Sequence, residues 1–144
     1  MKHKGAIMEY SKERMDDLMR AYDEYISSCD YIRMSEVYKI IVNMPSRRFW
    51  VSDIRAALVI SAMIRGETDL NTMWPLKKEM YEEIYSRVLT LQEEHPELTI
   101  SELCAKVIVQ PAPKFYLTPG SAKIMVCKAR KQWIQEKWKK LRLL

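Results

Sequence analysis

The chain is poor in the residues from which most active sites are assembled. Its 144 residues include only three glycines, Gly5, Gly66 and Gly120, too few and too scattered for a loop that cradles a phosphate. The two histidines, His3 and His95, have no cysteine or carboxylate at metal-ligand spacing, and neither belongs to a readable Ser-His-Asp or Cys-His arrangement. Cys29, Cys104 and Cys127 are odd in number and lack C-x-x-C spacing, which argues against a disulfide framework and for reduced thiols in a cytosolic compartment. The longest apolar-rich run, Ala56 to Ile64, is too short to span a bilayer. No apolar stretch of signal-peptide length follows the basic opening Met1-Lys2-His3-Lys4. These absences predict a soluble, cytoplasmic protein that is not an enzyme, takes no metal or cofactor, and does not engage a membrane.

Apolar residues, in contrast, make up 48% of the sequence, which argues against disorder and for a single domain over 1–144 with a core of its own. Charge is placed unevenly. From Gly120 onward, eight cations (Lys123, Lys128, Arg130, Lys131, Lys137, Lys139, Lys140 and Arg142) stand against one acid, Glu136. That balance of +7 leaves −2 for the rest of a chain whose total is +5. Such asymmetry points to an anionic partner.

One motif occurs twice. Pro45-Ser46-Arg47-Arg48-Phe49-Trp50-Val51-Ser52 returns 66 positions later, without a gap, as Pro111-Ala112-Pro113-Lys114-Phe115-Tyr116-Leu117-Thr118. At the same shift Ser35-Glu36 falls on Ser101-Glu102, Ile41-Val42 on Val107-Ile108, Ala56 on Ala122, and Asp16-Asp17-Leu18 on Glu82-Glu83-Ile84. A fixed period of this kind is the signature of a repeated supersecondary unit. It predicts a first unit over 11–66, a linker over 67–76 and a second unit over 77–142.

Each unit reads as helix, helix, extended connector, helix. Residues 1–10 read as a loose lead-in. The first helix runs from about Ser11 to Ser28 with Met15, Leu18, Met19, Tyr22 and Ile26 on one face. Asp16-Asp17, and Glu82-Glu83 in the second unit, read as solvated surface. Ser35 reads as the N-cap of the second helix and Pro45 as its stop. The third helix opens at Ser52 or Asp53, is apolar nearly all round and so reads as the buried centre of the fold, and ends at Gly66. Pro75 suits the first turn of the fourth helix. Thr99 with Glu102 forms a capping box for the fifth. The last helix runs from Ser121 to about Arg142. All six prolines lie at element edges, so the local signals agree. The expected fold is all-α, two similar three-helix units, with the two connectors pairing as a short two-stranded ribbon.

Phe49 and Phe115 read as core anchors, whereas Trp50 and Tyr116 fit core or surface equally. The strongest functional signal is the last helix. Ala122, Val126, Ala129 and Trp133 fall on one face, while Lys123, Arg130 and Lys137 recur every seven residues on another. Lys128, Lys131 and Arg142 widen that side into a basic band, and Lys139 and Lys140 add to its end. A helix, a connector and a cationic helix resemble a DNA-binding helix-turn-helix in outline, with a longer connector than that motif uses. The run Pro111–Pro119, with Ser121-Ala122-Lys123, also resembles a segment of small uncharacterised proteins of phage-like mobile elements in gut bacteria. That resemblance implies a regulatory or DNA-handling accessory role and transfers no functional residues. The first expectation is therefore non-catalytic binding of double-stranded DNA through Lys114, Lys123, Lys128, Arg130, Lys131, Lys137, Lys139, Lys140 and Arg142. The alternative is an interaction or assembly module that docks an acidic protein, or forms a homodimer, with Trp133 and Trp138 as anchors.

Overall fold

A computed structural model describes residues 4–67 and 70–142, and their side chains except at 4–9, 71 and 142. His3 and residues 68 and 69 of the linker lie outside the described residues, as does the side chain of Arg142. The described chain is all-α: α1 (Lys4–Ser28), α2 (Met34–Ile41), α3 (Asp53–Ile64), a 3₁₀ turn (Leu70–Thr72), α4 (Pro75–Glu94), α5 (Ile100–Ile108) and α6 (Pro119–Arg142).

Most helix ends follow from local chemistry. Ser52 Oγ accepts the backbone N–H of Arg55 at 3.1 Å and opens α3. Thr118 does the same for Ser121 at 3.1 Å and opens α6, two residues ahead of the expected start. Thr99 Oγ1 accepts the N–H of Glu102 at 3.2 Å, and the Glu102 carboxylate reaches back to that hydroxyl at 3.0 Å. Gly66, with φ 71°, closes α3: its N–H bonds Met63 O and the next N–H, from Glu67, bonds Ala62 O. Two ends differ from expectation. α1 already starts at Lys4, because Ala6 to Tyr10 contain no residue that stops a helix. α2 starts at Met34 with extended Arg33 ahead of it, because Val37 N–H closes the first turn on Arg33 O; Ser35 lies inside the helix and is not its cap.

The described helices form two compact units, one of them assembled from two separate stretches of chain and the other a continuous run between those stretches. One comprises the residues up to Met44 and those from Leu117 onward, hence α1, α2 and α6; the other is Pro45–Tyr116, hence α3, α4 and α5. This division differs from the consecutive units 11–66 and 77–142. The physical reason lies in the first connector. Ser46 and Ala112 exchange both backbone hydrogen bonds at 3.0 Å, and Phe49 N–H bonds Ile108 O at 2.9 Å. The connector is thereby pinned to the end of α5, in the unit where α3 packs on α4 and α5. The expected ribbon is reduced to this single antiparallel bridge; among the described residues there is no strand.

In the unit Pro45–Tyr116 the core is built from Phe49, Ala56, Ile60, Ile84, Val88, Leu103 and Val107. α3 is not buried all round. Ala56, Val59 and Ile60 face α4 and α5, while Ile54 and Leu58 are exposed, since a helix flanked by two neighbours covers only one side. In the other unit Leu18, Ala21, Val37, Ile41, Ala122 and Val126 are buried, and the rings of Tyr22 and Tyr38 stack at 6.5 Å. Asp17 is not solvated surface either. It is fully buried, and Arg20 donates to its Oδ1 from Nε at 3.0 Å and from Nη2 at 2.7 Å. Glu83 is half-buried and takes Arg87 Nε at 2.8 Å. An acid at the edge of an apolar face is held by an arginine one turn later in both cases.

A half-buried phenol and a buried thiol predict an alkaline limit. Burial, with Glu83 and Glu79 nearby and Arg87 opposing, pushes the Tyr116 phenol up to about 12. Burial pushes the Cys104 thiol up to about 11. Both groups hold their proton more tightly when folded, so their contribution is whole below the ordinary values of 10.0 and 9.0 and is lost as pH rises through the folded ones. Urea unfolding at roughly pH 8, 10 and 11 should show stability falling, and Tyr116→Phe should make the fall above about pH 10 shallower. An unchanged slope in that variant would contradict the assignment.

Candidate interface on the last helix

α6 packs on α1 and α2 through its first half only. Ala122 and Val126 are buried, and Ala129 is half-buried. Trp133 continues the same three- and four-residue spacing yet is 62% exposed, and every residue from Lys131 to Leu141 is exposed. The helix outruns what covers it. Between this half and α1 lies a groove of about 1040 Å³ walled by Met15, Met19, Tyr22 and Trp133. Lys137 Nζ stands 5.1 Å from the centre of the Trp133 indole.

The opposite side of α6 carries a second apolar line. Ile124 (71% exposed), Ile134 (46%), Trp138 (60%) and Leu141 (49%) are all exposed. With Cys127 and Lys131, both exposed, they occur at alternating spacings of three and four residues. At about 100° per residue, Trp138 lies about 140° from Trp133. The two tryptophans therefore do not form one anchor, because Trp133 borders the α1 groove and Trp138 belongs to the outer line. At the inner end of that line Cys127 approaches the Tyr38 hydroxyl, whose pKa is raised by burial first and by the neighbouring thiol next.

The cations do not make a single band. Lys123, Arg130 and Lys137 form one row beside the outer line, whereas Lys128 lies about 160° from Arg130, with Lys139 near it. Lys131 interrupts the line itself, and Lys140 points towards the inner side. Among the described residues no carboxylate lies within 4.0 Å of Lys123, Lys128, Arg130, Lys131, Lys137, Lys139 or Lys140. Lys114 is different. It belongs to the unit Pro45–Tyr116, pairs with Glu79 at 2.5 Å and lies 5.7 Å from the Tyr116 ring centre. Trp50 is likewise half-buried, with Arg48 at 5.2 Å from its ring centre. Neither aromatic is an open platform for a base.

No family model, curated protein or solved structure significantly matches this chain. Among the described residues no group of three or more His, Cys, Asp or Glu side chains gathers as a metal site, and no helix is long and apolar enough to cross a membrane. The outer line on α6 is the feature that reasoning from the cations alone passes over. Its signal is the alternation of three and four residues from Ile124 to Leu141, which Lys131 breaks up and the surrounding charge conceals.

Proposed function

We propose that the protein is a non-catalytic interaction module whose free half of α6 docks an acidic protein partner. One observation carries the reading: an exposed apolar line, with Trp138 on it, runs between rows of cations that have no carboxylate within 4.0 Å among the described residues. Exposed apolar surface rimmed by charge marks interaction sites, and Trp and Arg are frequent binding hot spots. An accessory role in a mobile element is compatible with such a module.

Binding of duplex DNA is the second reading, and the excess of cations on α6 favours it. If half of the eight met phosphates, the salt slope would be roughly −3.6, a loss of about a hundredfold between about 50 and 200 mM salt. It leaves Ile134, Trp138 and Leu141 without a role. The two readings separate by site-specific photocrosslinking in cells that make the full chain, with a benzophenone amino acid replacing Gln135. Docking predicts a protein adduct that survives nuclease and disappears in the Arg130→Glu/Lys137→Glu variant. A nuclease-sensitive adduct indifferent to Trp138→Ala would instead favour DNA.

A further inference from the structure

Deepening the docking reading, and resting on it, we infer that the partner is an acidic amphipathic helix that pairs with the outer face of α6 as a short coiled coil. The alternating spacing assigns Ile124, Lys131 and Trp138 to position a of a heptad and Cys127, Ile134 and Leu141 to position d. Over these residues the seam is about 27 Å long, enough for about two and a half heptads.

The positions that flank such a seam choose the partner. Here g is Lys123, Arg130 and Lys137, and e is Lys128, Gln135 and, by sequence position, Arg142. No acid occupies either flank. A second copy of α6 would set cation against cation or neutral side chain, whether the helices ran parallel (g against e) or antiparallel (g against g, e against e). Like charges at these positions disfavour self-pairing, and glutamate or aspartate at the partner's e and g satisfies all of them. Lys131 at an a position adds a register mark, because it calls for an acid opposite it in an otherwise apolar seam.

The surface already has the matching relief. A recess of about 440 Å³ lies on the line, bordered by Cys127, Arg130, Lys131, Ile134 and Gln135. The first four of these stand at i, i+3, i+4 and i+7, the four-residue hole into which a knob of a facing helix fits. A DNA phosphate row has no side chain to place there.

The experiment uses the full chain and three labelled synthetic peptides of about three heptads. One has isoleucine at a, leucine at d, glutamate at e and g, and one central glutamate at a to meet Lys131. The second has the same composition scrambled out of register; the third has lysine at e and g. Anisotropy titrations should show the acidic heptad peptide binding at least tenfold more tightly than the scrambled one, and the lysine peptide not at all. Arg130→Glu/Lys137→Glu should lose the acidic heptad peptide and gain the lysine one, and Ile134→Ser/Trp138→Ser should lose the acidic heptad peptide while folding normally. Equal binding of the scrambled peptide would overturn the coiled coil and leave acidic docking standing. Binding of random duplex DNA with no binding of either acidic peptide would overturn both. A dimer by light scattering that the Ile134→Ser/Trp138→Ser variant dissolves would assign the face to a second copy and overturn the inference.

Discussion

Replacing Phe49 with alanine should cost the protein about 3–5 kcal/mol, a large share of the roughly 5–15 kcal/mol that holds a typical domain together. The ring is fully buried. It stacks on Tyr116 with 6.1 Å between centroids, and the Arg87 guanidinium lies 4.9 Å from its centre. Collapse into the vacated space is restricted, because Arg87 is tied by Glu83 at 2.8 Å, Pro111 O at 2.8 Å and Gln110 Oε1 at 3.3 Å. The guanidinium would also lose its aromatic partner while remaining held beside a cavity. Urea unfolding followed by circular dichroism measures the cost. The exposed Trp138→Ala change, in the same assay, should stay within about 0.5 kcal/mol of the parent. A Phe49→Ala loss below about 1 kcal/mol would mean that the site repacks and that the anchor lies elsewhere.

The second large effect concerns connectivity. α3 precedes the α3–α4 connection but packs with α4 and α5, and α6 follows it but packs with α1 and α2. Each compact unit therefore needs helices from both sides of that connection. A protease site inserted after Gly66 and cleaved in the folded protein should leave both fragments in one particle of unchanged helicity. Either fragment made alone should lack a cooperative unfolding transition, since its third helix has lost its partners. Native size-exclusion chromatography before and after cleavage decides it. Fragments that separate, or a folded 1–66 fragment, would contradict the exchange of third helices. Such an exchange is also what we propose a copied ancestral unit would leave behind. In it the equivalent positions Ser46 and Ala112 face each other across a backbone bridge.

Much of this was legible residue by residue. Ser52, Thr99, Gly66 and Pro75 each act at the helix ends where their chemistry placed them, and Phe49 and Phe115 are buried as anchors. Periodicity identifies which face of a helix is apolar, but it carries no information on which helix covers that face. The exchange of α3 and α6 was therefore hidden, as were the exposed Ile54 and Leu58. The burial of Asp17 escaped for a related reason: an acid beside an apolar stripe looks solvated until Arg20 is seen bonding it. Lys114 counted as a free cation because its partner, Glu79, lies far off in sequence and meets it only through the fold. On α6 the outer line was readable as spacing, but its exposure was not, because nothing local reveals that a helix outlasts its neighbours.

On this reading the outer line is free in the folded protein and is there to be covered by another molecule. This is tested most directly by binding of the acidic heptad peptide to the Ile134→Ser/Trp138→Ser variant, with its melting curve recorded alongside. The account predicts a melting curve that overlays the parent's and a loss of at least tenfold in affinity. A variant that melts far below the parent would contradict it, because the line would then be part of the protein's own core. So would undiminished binding, because the peptide would then be held by charge alone.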